Sequence, residues 1–107
     1  MSRKHLLVLI AIALPAWVGG ASSQEIGRRA EGLASAQHLC SECHAVLRGQ
    51  AQSPNRAAPP FQAIASTPGM TEMALSAALS TSHRTMPNVL LAPDQRADII
   101  AYILSLR

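Results

Sequence analysis

The sequence predicts an all-α domain of three to four helices joined by loops. Two observations carry that expectation. Apolar residues recur at three- and four-residue intervals in three separate segments, the period of a helix with one buried face, and no stretch shows the alternation of a strand. The length, 107 residues, leaves room for a single domain only.

The first residues read as a leader rather than as part of that domain. Arg3, Lys4 and His5 make a basic start, residues 6–18 are apolar, and Gly19, Gly20, Ala21, Ser22 and Ser23 form a small-residue cleavage region. The expectation is a signal peptide over residues 1–23, with a cut after Ala21 as the alternative, and a working domain over residues 24–107. A retained membrane anchor is the competing reading, but 13 apolar residues interrupted by Pro15 fall short of the roughly 20 that a spanning helix needs. Export across the cytoplasmic membrane places the domain in the periplasm, with no stable membrane insertion after cleavage.

Within the domain, Ile26, Ala30, Leu33, Ala36 and Cys40 are spaced for a helix over about residues 25–39. Residues 46–68 carry Gly49, Ser53, Pro54, Asn55, Pro59, Pro60 and Pro68, which cannot sustain regular hydrogen bonding and predict a loop. Thr71 is suited to cap a helix that runs to about Ser80 with Leu75, Ala78 and Leu79 on its apolar side, ending before His83. Pro93 suits the first position of a last helix that continues through Ile99, Ile100, Ile103, Leu104 and Leu106. Ala92 stands where a capping oxygen belongs, so some fraying is expected there.

The run Cys40-Ser41-Glu42-Cys43-His44 has C-x-x-C-H spacing, which reads as a covalent attachment site for one haem c. Two thiols separated by two residues lie on one side of a helical turn, where each can add to a haem vinyl group. His44 then follows directly as the proximal iron ligand. A structural zinc site needs four ligands and the chain has two cysteines; a thioredoxin-like motif needs a preceding strand, and none is predicted.

For the opposite side of the iron, methionine sulfur is the soft ligand that favours the ferrous state. Met86 precedes Pro87 in a non-helical stretch and is the candidate; its bland reading is a buried loop methionine. Met70 and Met73 are expected to pack in the core. His83 is the rival ligand, with an exposed helix end as its commoner role, and His38 is expected to face solvent.

Composition agrees with a cofactor-dependent core. After cleavage, 84 residues remain, with Phe61 and Tyr102 as the only aromatic side chains, and domains this small commonly need a disulfide, metal or cofactor. Loss of Arg3 and Lys4 leaves seven cations, all arginine, against six acidic residues, a formal charge of +1. With two haem propionates added, nothing supports binding to nucleic acid or to anionic lipid.

Taken together, these residues resemble the class I cytochrome c family over nearly all of residues 24–107. Cys40-Ser41-Glu42-Cys43-His44 resembles its haem motif and Met86-Pro87 its distal-ligand motif. Gly32 resembles the glycine of its N-terminal helix, and Asp98-Ile99-Ile100-Ala101-Tyr102-Ile103 its C-terminal helix. Ala36 departs from the family's frequent aromatic residue. Ala58-Pro59-Pro60-Phe61 is similar to the segment whose proline carbonyl accepts a hydrogen bond from the proximal histidine; Pro59 is the choice and Pro60 the alternative.

The resemblance implies a small cytochrome c fold wrapped around one covalently bound haem, His44 and Met86 as iron ligands, and a tight crossing of the terminal helices where Gly32 meets Tyr102. It implies a monomeric electron carrier, not an enzyme, that meets redox partners such as a dehydrogenase or an oxidase transiently. The family's docking lysines are absent, leaving Arg48 or Arg84, or an apolar surface. Two other readings share the motifs: a haem subunit of a larger dehydrogenase, and a five-coordinate ligand-binding or sensor protein in which Met86 only packs.

Overall fold

The computed structural model describes residues 21–83 and 85–107, with side chains from residue 28 onward. The described residues form four helices and no strand, an all-α arrangement: α1 (Ala21–Leu39), α2 (Phe61–Ala65), α3 (Glu72–Ser80) and α4 (Pro93–Leu104). Residues 1–20 of the expected leader lie outside them. No helix among the described residues is long and apolar enough to cross a membrane.

The most extensive helix–helix contact joins α1 to α4, and α2 and α3 pack on α4 in turn. Gly32 permits the α1–α4 approach. A Cβ built there would lie 2.0 Å from the Asp98 carbonyl oxygen and 2.8 Å from Tyr102 Cβ, distances at which atoms overlap. Ala36, one turn further on, is completely buried, so a small side chain fills the place where an aromatic one was the family expectation. Arg28 Nε and Asp98 Oδ1 form an exposed ion pair across the same crossing at 3.4 Å.

The core comprises Ala36, Val46, Phe61, Ala65, Leu75, Ile99, Ile100, Tyr102, Ile103 and Leu106. Its largest fully buried side chains, Ile99 and Ile103, lie four residues apart on one face of α4.

Local signals explain the starts of α3 and α4. Thr71 Oγ1 accepts from the Ala74 amide at 3.1 Å and caps α3. Pro93 opens α4, and Ala92 supplies no side-chain bond to its first turn. Thr67-Pro68-Gly69-Met70 turns between α2 and α3, closed by Met70 N–H to Thr67 O at 3.0 Å, with Gly69 at φ +77° as the third residue of a type II turn requires.

Four expectations need correction. The first helix begins at Ala21, four residues earlier than expected. The loop expected over residues 46–68 contains α2, which has no side-chain cap and forms because Phe61 and Ala65 bury themselves against α4. The last helix stops at Leu104; Leu106 is buried beyond it, in a turn closed by its N–H on Ile103 O. Met73 does not pack in the core: it is 82% exposed, since it stands two residues, about 200° of helix, from buried Leu75. Met70 does pack against the core.

Candidate functional site

The C-x-x-C-H run continues α1 as one helical turn. Cys40 N–H reaches Ala36 O at 2.9 Å, and His44 N–H reaches Cys40 O at 2.9 Å, the i to i−4 pattern of a helix. Cys40 and Cys43 are both half-buried free thiols. Burial pushes the Cys40 thiol above its ordinary value, because the thiolate loses hydration.

His44 turns toward the segment before α2. Its Nδ1 lies 2.8 Å from the Pro59 carbonyl oxygen. A carbonyl only accepts, so Nδ1 carries a proton, and in the neutral ring Nε2 is then the nitrogen with the lone pair. The Pro60 carbonyl is engaged elsewhere, accepting from Ile64 N–H in the first turn of α2. The Phe61 ring packs against the imidazole at 5.4 Å between centroids, tilted by 52°.

A cavity opens where the end of α1, the C-terminal half of α3 and the segment before α4 meet. Its lining includes Cys40, Leu79, Met86, Pro87, Val89 and Leu91. Cys40 and half-buried Met86 therefore border one opening. Cys43 and His44 are not part of that lining. His83 is exposed and also lies off it, as does exposed His38.

Among the described residues no three His, Cys, Asp or Glu side chains come together as a metal site. Two thiols and the imidazole share one turn, and of these only Cys40 borders the opening that the Met86 thioether lines. That set suits a haem tethered through sulfur.

Arg48 is not a free docking cation: its guanidinium donates to the Ser105 and Leu106 carbonyls, and Arg84 lies outside the described residues. Sequence reasoning missed what surrounds the histidine. Ser53 Oγ accepts from Ala45 N–H at 2.9 Å, Asn55 N–H donates to Cys43 O at 3.1 Å, and Phe61 N–H donates to Ala45 O at 2.9 Å. Phe61 carried a usable signal, being the only phenylalanine in the chain and adjacent to the two prolines. Ser53 and Asn55 carried none beyond their suitability for turns.

Comparison with known proteins finds no matching family model, no similar curated protein and no similar solved structure.

Proposed function

We propose that this chain is an exported, periplasmic monohaem c-type cytochrome that carries single electrons between redox partners. The observation that carries the reading is the turn from Cys40 to His44. It presents two free thiols and an imidazole whose Nδ1–H is held by the Pro59 carbonyl.

When bound, haem c supplies a one-electron iron couple. Cys40 and Cys43 would hold it through two thioether bonds, each formed by addition of a thiol across a vinyl group with no oxidant needed. His44 offers Nε2 as proximal ligand. The Pro59 carbonyl fixes the tautomer and increases the electron donation of the ring. Met86 offers its sulfur as distal ligand, with Pro87 restricting the backbone beside it. With His44 and Met86 both supplied by the protein, the haem would change little in ligation between its two oxidation states.

With Arg48 committed to backbone carbonyls, transient docking falls to Arg84 or to apolar side chains. Leu39 borders the opening and Leu90 lies between two residues that line it; they are 37% and 89% exposed. A brief contact between partners needs only a small interface. The domain acts as a monomer that binds neither nucleic acid nor membrane.

A visible spectrum of the exported protein, beside Met86→Ala, tests the reading. The expected wild type carries covalent haem and is six-coordinate and low-spin with a weak long-wavelength sulfur-to-iron band, which the variant loses. A high-spin wild type that binds carbon monoxide readily makes Met86 a packing residue and moves the function to ligand binding.

A further inference from the structure

We propose that Tyr102 and Arg48 are positioning residues for His44, clamping the residues that follow it to the C-terminal end of α4. The inference rests on the reading of His44 as an iron ligand, and it concerns groups far from it in sequence.

The segment after His44 has little structure of its own. Its internal backbone bond is Gln50 N–H to Leu47 O, which closes a turn with Gly49 at φ +77°. The Gln50 side chain closes the same turn from within, accepting from Leu47 N–H at 3.3 Å, and the other bonds that hold the segment come from outside. Tyr102, buried in the core, donates its hydroxyl to Val46 O at 2.6 Å. Arg48 spans two carbonyls at the end of α4, Ser105 O and Leu106 O, with its two terminal nitrogens. Gly49 N–H donates to Gln62 Oε1 at 2.8 Å.

The chemistry of each group is specific to the clamp. Packing against Gly32 needs only the body of the Tyr102 side chain; its hydroxyl has Val46 O as partner, two residues past the histidine. Without that donor, the carbonyl of a residue only 2% exposed loses its bond. The Arg48 guanidinium is planar and presents several donors at once, so it holds two carbonyls where an ammonium would hold one. It also places a positive charge at the negative end of the α4 dipole.

The imidazole is therefore held from both sides. Before it, the helical turn fixes its backbone through Cys40 O; after it, the clamp fixes Val46 and Arg48, and Phe61 N–H to Ala45 O brings the Pro59 segment alongside. Loosening the clamp lets the His44 backbone turn and weakens the bond from Nδ1–H to Pro59 O.

The solvent exchange of the His44 Nδ1 proton, followed by NMR in the reduced full-length protein as isolated, tests the clamp. Tyr102→Phe and Arg48→Lys are compared with Leu75→Val, a core change on α3. Both clamp variants are expected to exchange about fivefold faster than wild type, the scale of one lost hydrogen bond. Leu75→Val should keep the wild-type rate even where its melting temperature falls equally. Equal acceleration in Leu75→Val, or an unchanged rate in Tyr102→Phe, overturns the proposal. An unchanged rate in Arg48→Lys overturns it for Arg48. If the isolated chain carries no covalent haem, the electron-carrier reading fails on its own account, and the same proton measured in that chain still decides the clamp.

Discussion

Two residues in this chain are defined by what a single added or lost group would do. Gly32→Ala raises intrinsic helix propensity, but its methyl group would overlap the Asp98 carbonyl, which is backbone and cannot rotate away. Forcing α1 and α4 apart is expected to cost about 3 kcal/mol and to lower the melting temperature by about 15 °C, read by circular dichroism. Cys40 is governed by hydration. Burial disfavours the thiolate and raises the pKa, so at pH 8 the haem-free chain has less nucleophilic sulfur at Cys40 than an ordinary thiol would. Iodoacetamide should therefore modify Cys40 more slowly than free cysteine at that pH, with the rate rising as pH increases. Modification as fast as free cysteine would show the thiol to be hydrated.

At the scale of elements, the two helices with clear start signals differ in how well they are capped. α3 has its Thr71 oxygen on Ala74 N–H, whereas the first turn of α4 receives no side-chain bond from Ala92. Ala92→Asp supplies an acceptor and a negative charge at the positive end of the α4 dipole. A gain of about 1 kcal/mol, near 5 °C in melting temperature for a domain of this size, is the expected outcome of a thermal scan. No gain would mean that the Ala92 backbone, at φ −60° and ψ 150°, holds the new oxygen away from the amides. Thr71 and Pro93 were legible in the sequence because capping and the fixed proline φ act over three or four residues. α2 was not. Its five residues lack a side-chain cap, and it forms through the burial of Phe61 and Ala65 on a helix that begins only at Pro93.

For the whole molecule, the deciding quantity is the small amount of core. Buried apolar side chains come mainly from α4 and a few residues facing it, with two aromatic rings among them. In the proposed holoprotein the haem adds the missing apolar surface, and binding to the folded state alone stabilises it. Replacing both thiols, as Cys40→Ala with Cys43→Ala, is expected to abolish covalent haem. It should also convert a sharp thermal transition into a broad one at lower temperature, measured by far-ultraviolet circular dichroism. Equal melting of the two proteins would show that the four helices suffice by themselves. The exposed Arg28–Asp98 pair is a minor contributor at this scale, since such pairs are worth about 0–1 kcal/mol.

By itself, the sequence determined the all-α class, the starts of α3 and α4, and the turn that puts two thiols and an imidazole together. Each depends on contacts within one or two helical turns, which spacing encodes directly. Only the tertiary structure decided that Pro59 rather than Pro60 faces His44, that Arg48 serves the end of α4, and that the Tyr102 hydroxyl reaches Val46. It also decided that Met73 stands in solvent. The three bonds join groups 15, 58 and 56 residues apart, and which of several chemically equal partners is chosen follows from how α1, α2 and α4 pack. A residue's neighbours along the chain carry no record of that choice.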